Sequence, residues 1–370
     1  MDFIVSKADL VRELGLSQGV VEKKATLPVL SNVLLEAADD TVSISATDLE
    51  LSIRCQAAAH VIVKGGGTLP AKKLLDYVRL LPDAEIRLKF SDTNWATLTC
   101  GRSKTRIAGM AHDTYPQMPP MPDPVAELPA GLLSAMISRT VFAIAAEESR
   151  FTLNGALLVL RPEALTMVAT DGHRLALVEY PSPEGLAGEH RALVPRKAMM
   201  ELARLATDAG EDARIEFAMD DNHLFFRIGS RLLASRKLSG NFPDYERVLP
   251  RSHAHTVTLP REDFRAAIER VSQFSDERSR AVKIRFGDGE ATIHSSLSES
   301  GESEESLPAD YGGPTTEIGF NATYLLEFLR ATQEQQVEFH FKDPQSAGEL
   351  SPSSAEAGYR YRYVVMPMRI

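Results

Sequence analysis

Apolar positions along the chain fall into two alternating rhythms. Phe264, Ala267, Ile268 and Val271 are spaced i, i+3, i+4 and i+7, the pattern of one helix face. A short strand-like run, Thr256-Val257-Thr258-Leu259, precedes them. The same succession occurs twice upstream. Phe3-Ile4-Val5 leads into a helix pattern near Lys7, and Ala126-Glu127-Leu128 into one near Ala130, as the third does near Arg261. A second trio joins a strand, a helix opener and an amphipathic helix at Thr68–Leu75, Leu193–Met200 and Ile318–Leu325. Pro70 and Pro195 lie 125 residues apart, and so do Pro195 and Phe320. Strand patterns follow these helices at Glu85–Phe90, Arg214–Phe217 and Gln336–Phe341.

A third trio marks the ends. Tyr115-Pro116, Phe242-Pro243 and Met366-Pro367 are 127 and 124 residues apart. Proline ends strand pairing because it has no N–H to donate. Self-similarity at this period predicts three copies of one domain, at 1–125, 126–254 and 255–370. Each copy divides into two half-copies reading β-α-β-β-β, which makes six half-repeats. Helices grouped beside antiparallel strands make the fold class α+β, with two helices against sheets in every domain. Repetition on this scale suggests an arc or ring rather than a single pocket. The run of prolines from Pro116 to Pro124 reads as a stiff linker.

Composition leaves that reading intact and narrows the function. The 370 residues are 44% apolar and 25% charged, ordinary for a globular protein. A net charge of −10 argues against a uniformly basic nucleic-acid coat. Distribution matters more than the total. The helix segments 7–24, 71–81, 130–143, 196–206, 261–273 and 321–335 together carry +5, so the remainder carries −15. Two readings stand: solvated helix faces, or helices lining one surface that meets a polyanion while an acidic exterior repels it elsewhere. Cys55 and Cys100 are too few for a disulfide framework or a cysteine zinc site, and no metal or cofactor is expected. No apolar run approaches the roughly 18 residues of a membrane span. Met1-Asp2-Phe3-Ile4-Val5 places an acid where a signal peptide needs a base, so a cytoplasmic protein is expected.

Phosphate-loop, dinucleotide, zincin and nucleophile-elbow motifs are absent. Asn321-Ala322-Thr323 fits a glycosylation acceptor, but it opens a helix, where a capping Asn is the better reading. One constellation invites a catalytic reading. In Ala169-Thr170-Asp171-Gly172-His173-Arg174-Leu175-Ala176, Asp171 could orient His173 as a base. Ala46-Thr47-Asp48 stands at the matching place 123 residues earlier, and a recurring Thr-Asp suits a turn, since Asp caps its own backbone. His173 and Arg174 do not recur, which leaves them to a copy-specific binding site, to catalysis or to a plain surface loop. Phe242–Pro250 and the apolar end Tyr363–Ile370 are copy-specific as well. That end either finishes a buried strand or, through its methionines, lends an adaptable peptide-binding surface.

Together these segments resemble the bacterial sliding clamps, the beta subunit family of DNA polymerase III. The matching runs are Ala169–Ala176, Phe242-Pro243-Asp244-Tyr245 with Arg247-Val248-Leu249-Pro250, and Val364-Val365-Met366-Pro367-Met368-Arg369. Leu27-Pro28, Leu153-Asn154-Gly155, Val194-Pro195-Arg196-Lys197 and Gly319-Phe320-Asn321 fit too, so the resemblance covers the whole chain. It implies the DNA-clamp fold: three similar domains per chain, closing head to tail as a homodimer into a six-domain ring. Twelve helices about 8–10 Å apart span roughly 100–120 Å of circumference, which leaves room for a duplex. It also implies a non-catalytic role. The ring encircles double-stranded DNA regardless of sequence and tethers the polymerase, so processivity comes from topology.

The resemblance carries residues with it. Lys24, Lys72, Lys73, Arg150, Arg196 and Lys197 would face DNA. Leu153, Thr170, Gly172, His173, Arg174, Leu175, Pro243, Arg247 and Val248 would line a peptide pocket, completed by Val364, Met366, Pro367, Met368 and Arg369. Its partners would be short linear peptides of the DNA polymerase III alpha subunit, the clamp loader, other polymerases and repair proteins. Apolar walls would take Leu and Phe anchors, and the arginines would hold the peptide backbone or a carboxylate. At the dimer interface Arg102, Lys104 and Arg106 alternate along a strand and so share one face. The acidic stretch Ser298–Glu305 is either a solvated loop or, as the resemblance implies, sets Glu299, Glu302 and Glu304 against that basic stripe.

Three departures from the family pattern carry expectations. Ser279 stands where an aromatic is common near the pocket, which predicts a shallower subsite. Phe151-Thr152 replaces a more aromatic pair on a DNA-facing loop. Asp343–Gly358 reads as a long Ser-rich loop. Three rivals are an enzyme using Asp171 and His173, a clamp homologue kept for a different partner set, and a repeat scaffold that never touches DNA.

Overall fold

The structure is a computed structural model, and it describes residues 1–21, 27–91, 93–146, 151–183, 186–297, 301–353 and 358–369. Its elements follow one order, β-α-β-β-β, six times over. The first two rounds are β1 (Asp2–Ser6), α1 (Lys7–Ser17), β2 (Asn32–Ala38), β3 (Thr41–Thr47) and β4 (Leu51–Val63), then β5 (Gly65–Pro70), α2 (Ala71–Leu80), β6 (Glu85–Phe90), β7 (Trp95–Cys100) and β8 (Ser103–Ala108). The middle rounds are β9 (Ala126–Pro129), α3 (Ala130–Ser138), β10 (Gly155–Leu160), β11 (Ala164–Thr170) and β12 (Arg174–Pro181), then β13 (His190–Pro195), α4 (Arg196–Ala209), β14 (Arg214–Met219), β15 (His223–Ile228) and β16 (Arg231–Arg236). The last are β17 (His255–Pro260), α5 (Arg261–Val271), β18 (Ala281–Gly287), β19 (Glu290–Leu297) and β20 (Gly301–Pro308), then β21 (Thr316–Asn321), α6 (Ala322–Ala331), β22 (Gln336–Phe341), β23 (Gly348–Pro352) and β24 (Arg360–Val365).

Local chemistry sets the boundaries. The Ser6 hydroxyl accepts from the Asp9 N–H at 3.1 Å and caps α1. Asn321 caps α6 by accepting from Thr323 N–H at 2.8 Å, so this Asn opens a helix as its sequence context suggests. The β7–β8 hairpin closes on Gly101-Arg102, with Gly101 at φ +54°.

The chain divides into two compact units, Met1–Ser134 with Lys197–Lys237, and Ala135–Arg196 with Leu238–Ile370. In the first, one sheet runs β8-β7-β6-β1-β4-β16-β15-β14-β9, and β5-β2-β3 joins it through β4. In the second, β13-β10-β11-β12-β24-β23-β22-β17 form one sheet and β20-β19-β18-β21 another.

The pairing follows a rule that explains the repeat. Half-copies exchange their first strands: β1 pairs with β6 while β5 pairs with β2, and the same holds for β9 with β14, β13 with β10, β17 with β22 and β21 with β18. A half-copy therefore cannot complete a sheet alone. The fourth strands then pair across copies, β4 with β16 and β12 with β24, odd half to even half and antiparallel. Two fourth strands, β8 and β20, remain at sheet edges.

Each unit has its own core. In the first, α1 packs against α2 and β4, around Phe3, Leu10, Leu14, Leu74 and Val78, all fully buried. In the second, α5 packs on α6, and Phe328 of α6 stacks on Tyr363 of β24 with ring centroids 5.2 Å apart.

Two sequence expectations change here. Within the acidic stretch, 301–305 belong to the edge strand β20, while 298–300, including Glu299, lie outside the described residues. The stretch looked like a loop because only Leu307 of β20 is buried, so no alternating apolar signal exists. Asp343–Gly358 likewise contains a strand, β23, whose Leu350 is fully buried; 354–357 lie outside the described residues.

Candidate functional site

The Thr-Asp turns are built identically. In the first copy Thr47 Oγ1 donates to Leu51 O at 3.1 Å and accepts from Leu49 N–H at 3.0 Å, while Asp48 Oδ1 accepts from Glu50 and Leu51 N–H. In the second copy Thr170 Oγ1 donates to Arg174 O at 2.6 Å and accepts from Gly172 N–H at 3.1 Å, while Asp171 Oδ1 accepts from His173 and Arg174 N–H. Asp171 Oδ1 thus serves the backbone of its own turn. The turns differ in what they carry. Leu49 takes the position of Gly172, Glu50 that of His173, and Ser52 that of Leu175.

Around the second turn lies an apolar recess of about 130 Å³. Leu153, Thr170, Gly172, His173, Arg174, Leu175, Pro243, Val248, Val364 and Met366 line it, as the sequence suggested. Register explains the convergence. Leu175 of β12 stands opposite Val364 of β24, and Met366 N–H donates to His173 O at 3.0 Å just beyond the strand end. The strap after Pro243 folds back over this face. Its Tyr245 is buried in a cluster with Leu157, Leu177 and Val364 and also lines the recess. Sequence alone gives Tyr245 no role, and the one signal that points to it is the copy-specific strap in which it lies. Val248 and Met366 are 42% and 45% exposed, so the recess presents uncovered apolar surface.

Four expected lining residues are placed elsewhere. Arg247 points away, its side chain 83% exposed and paired with Asp244 at 2.7 Å. Pro367, Met368 and Arg369 lie past the recess, where Met368 N–H donates to Gly319 O at 2.8 Å and fastens the chain's end to β21. Ser279 is also outside the lining; its N–H donates to Asp276 in a turn.

Arg174 lines the recess, and each of its three guanidinium nitrogens already donates one hydrogen bond within the protein. Nε donates to Asp171 Oδ2 at 3.1 Å, Nη2 to Phe142 O at 2.6 Å, and Nη1 pairs with Glu327. The guanidinium sits over the Tyr324 ring at 4.2 Å. Burial disfavours its charge, but Tyr363 and Glu327 more than offset that and raise its pKa. These contacts fix the guanidinium at the wall of the recess.

The other expected residues fall in separate places. Lys72 and Lys73 are exposed on the first turn of α2, and Arg196 and Lys197 are exposed at the start of α4. Lys197 Nζ pairs with Asp48, itself a turn residue. Lys24 and Arg150 lie outside the described residues. Lys104 and Arg106 are exposed on β8, Arg106 lying over Trp95 at 5.0 Å. Arg102 is in the hairpin turn and not on the strand, because Cys100 and Ser103 are the last facing pair. Glu302 and Glu304 are exposed on β20. Among the described residues no helix is long and apolar enough to cross a membrane.

The chain thus folds one β-α-β-β-β unit six times and opens an apolar recess where two repeats meet. The N-terminal, central and C-terminal domains of the DNA polymerase III beta subunit match residues 1–119, 127–244 and 246–369. The beta sliding clamp of Caulobacter vibrioides is 38% identical over the full length of both chains, and that of Pseudomonas putida is 35% identical over the full length of both. Among solved structures, a Pseudomonas aeruginosa sliding clamp bound to griselimycin superposes with a TM-score of 0.94 at 34% identity, covering both chains fully. The Caulobacter crescentus clamp superposes at 0.92 with 38% identity and the same coverage. The chain belongs to the DNA polymerase III beta subunit family. Its function is that of a DNA sliding clamp, a non-catalytic processivity factor in replication.

Proposed function

We propose that two copies of this chain, each of three domains at 1–125, 126–254 and 255–370, close head to tail around duplex DNA in the cytoplasm. The observation that carries this is the pair of leftover edges. Fourth strands of odd half-copies pair with those of even half-copies wherever both lie in one chain. β20 is odd, β8 is even, and each ends its sheet. Pairing β20 of one protomer with β8 of the next continues the rule and removes both edges. Glu302 and Glu304 then meet Lys104 and Arg106, which fixes the register. Lys72, Lys73, Arg196 and Lys197 would meet the DNA backbone, a contact loose enough to slide.

The recess takes the apolar anchors of short linear peptides from the polymerase III alpha subunit, the clamp loader, other polymerases and repair proteins. A fluorescent peptide of the Gln-Leu-x-Leu-Phe type tests this. Saturable binding is expected, and Val248→Asp with Met366→Asp should weaken it at least tenfold while the fold survives, since both side chains are already near half-exposed. Undiminished binding by that variant would move the peptide site off the recess.

A further inference from the structure

A second cleft, polar and about 680 Å³, opens on the same sheet face as the recess. Strand alternation places Arg360, Arg362 and Val364 of β24 on one face, while Tyr361 and Tyr363 turn to Phe328 of α6. Val364 lines the recess, and Arg360 and Arg362 line the polar cleft. Arg362 and Val364 are two residues apart, roughly 7 Å along the strand. The strap joins the two clefts from above. Tyr245 and Val248 face the recess, whereas Glu246, Leu249 and Arg251 line the polar cleft.

The cleft floor is a satisfied ion cluster. Glu349, 4% exposed, takes a two-pronged contact from Arg362 at 2.5 and 2.6 Å and a third from His253 Nε2 at 3.3 Å. Arg362 also donates to Pro250 O at 2.9 Å, which anchors the strap. Arg251 and Arg360 are different. Both are exposed at the rim, and neither has a carboxylate within ion-pair distance among the described residues. Among the described residues that line the cleft, the other acid is Glu246, also exposed. With Glu349 neutralised by Arg362 and Glu179 standing opposite Arg360 across β12 and β24, Arg251 and Arg360 keep exposed guanidinium donors at the rim.

We infer that this cleft is a carboxylate-binding extension of the peptide site, which holds acidic residues flanking the apolar motif of a partner's linear peptide. The inference rests on the recess being the peptide site. Arg251 and Arg360 supply charge-assisted donors to the flanking carboxylates, while the recess supplies the apolar anchor points. Contacts of this exposed kind add selectivity among partners and a salt dependence that the apolar anchors lack.

The test uses the intact chain and three fluorescent peptides: a Gln-Leu-Ser-Leu-Phe core, the core with three Glu at its N-terminus, and the core with three Glu at its C-terminus. At low salt one extended peptide should bind about tenfold tighter than the core, and the gain should fade as salt rises. Arg251→Glu with Arg360→Glu should abolish the gain and leave core binding unchanged, which also shows that the variant is folded. Arg251→Gln with Arg360→Gln should lose most of the gain. Equal affinity for all three peptides, or a gain that survives the double variant, overturns the inference alone. Failure of the core to bind overturns the peptide reading of the recess and this extension with it.

Discussion

Leu49 and Gly172 hold the same place in the same turn, at φ +77° and +89°. Only glycine adopts that backbone region without strain; a side chain there costs roughly 1–2 kcal/mol. Leu49 is also 49% exposed, so it recovers little by burial. Leu49→Gly should therefore stabilise the chain, by up to about 1 kcal/mol once the extra entropy of an unfolded glycine is deducted. A urea midpoint measured beside that of Leu49→Ala checks this. Ala keeps the backbone strain, so a gain seen equally with Ala would assign the effect to the side chain. The turn itself was legible at residue scale, because Thr and Asp bond to groups only two to four residues away. The engagement of Arg174 was not. Its partners Glu327 and Phe142 are 153 and 32 residues distant, and no local pattern announces them.

Most elements were legible because they bury one face. β6 and β22 occupy the residues that the strand pattern assigned, and α5 begins at Arg261, where the helix was expected to start, with its i, i+3, i+4, i+7 face running from Phe264 to Val271. β20 escaped for the opposite reason: an edge strand with charged residues on its open side has almost no apolar period to show. Its meaning lies in which strands already have partners. If β20 joins β8 of a second chain, Lys104→Glu with Arg106→Glu sets like charges against Glu302 and Glu304 and should weaken dimerisation at least tenfold. Glu302→Lys with Glu304→Lys in the partner chain should restore it, and sedimentation equilibrium reads both. A dimer as tight in the reversed variant as in the native chain, at low salt, would place the interface elsewhere. Arg106 also covers Trp95 at 5.0 Å, so a circular-dichroism check of the monomer separates lost packing from lost charge.

At the scale of the molecule, the sequence shows a chain of −10 whose helix segments carry +5. The structure then sorts those cations by what they already touch. Lys197 pairs with Asp48, so its charge is partly spent within the protein. Lys72 and Lys73 stand exposed together on α2, which makes them the better candidates for counterion release from DNA. Each phosphate contact contributes about 0.9 to the slope of log affinity against log salt for duplex DNA. If both lysines reach phosphates, Lys72→Glu with Lys73→Glu should make that slope shallower by about 1.8 and weaken binding alike on unrelated sequences. Lys197→Gln should change the slope by less than either lysine of α2, because Asp48 competes with phosphate for it. An unchanged slope in the α2 variant would mean that these lysines do not face the duplex. A clamp's hold on a closed DNA circle rests on topology, not on affinity. The α2 variant, once closed around a nicked plasmid, should therefore stay on it and leave only when the plasmid is cut open, despite its weaker contacts.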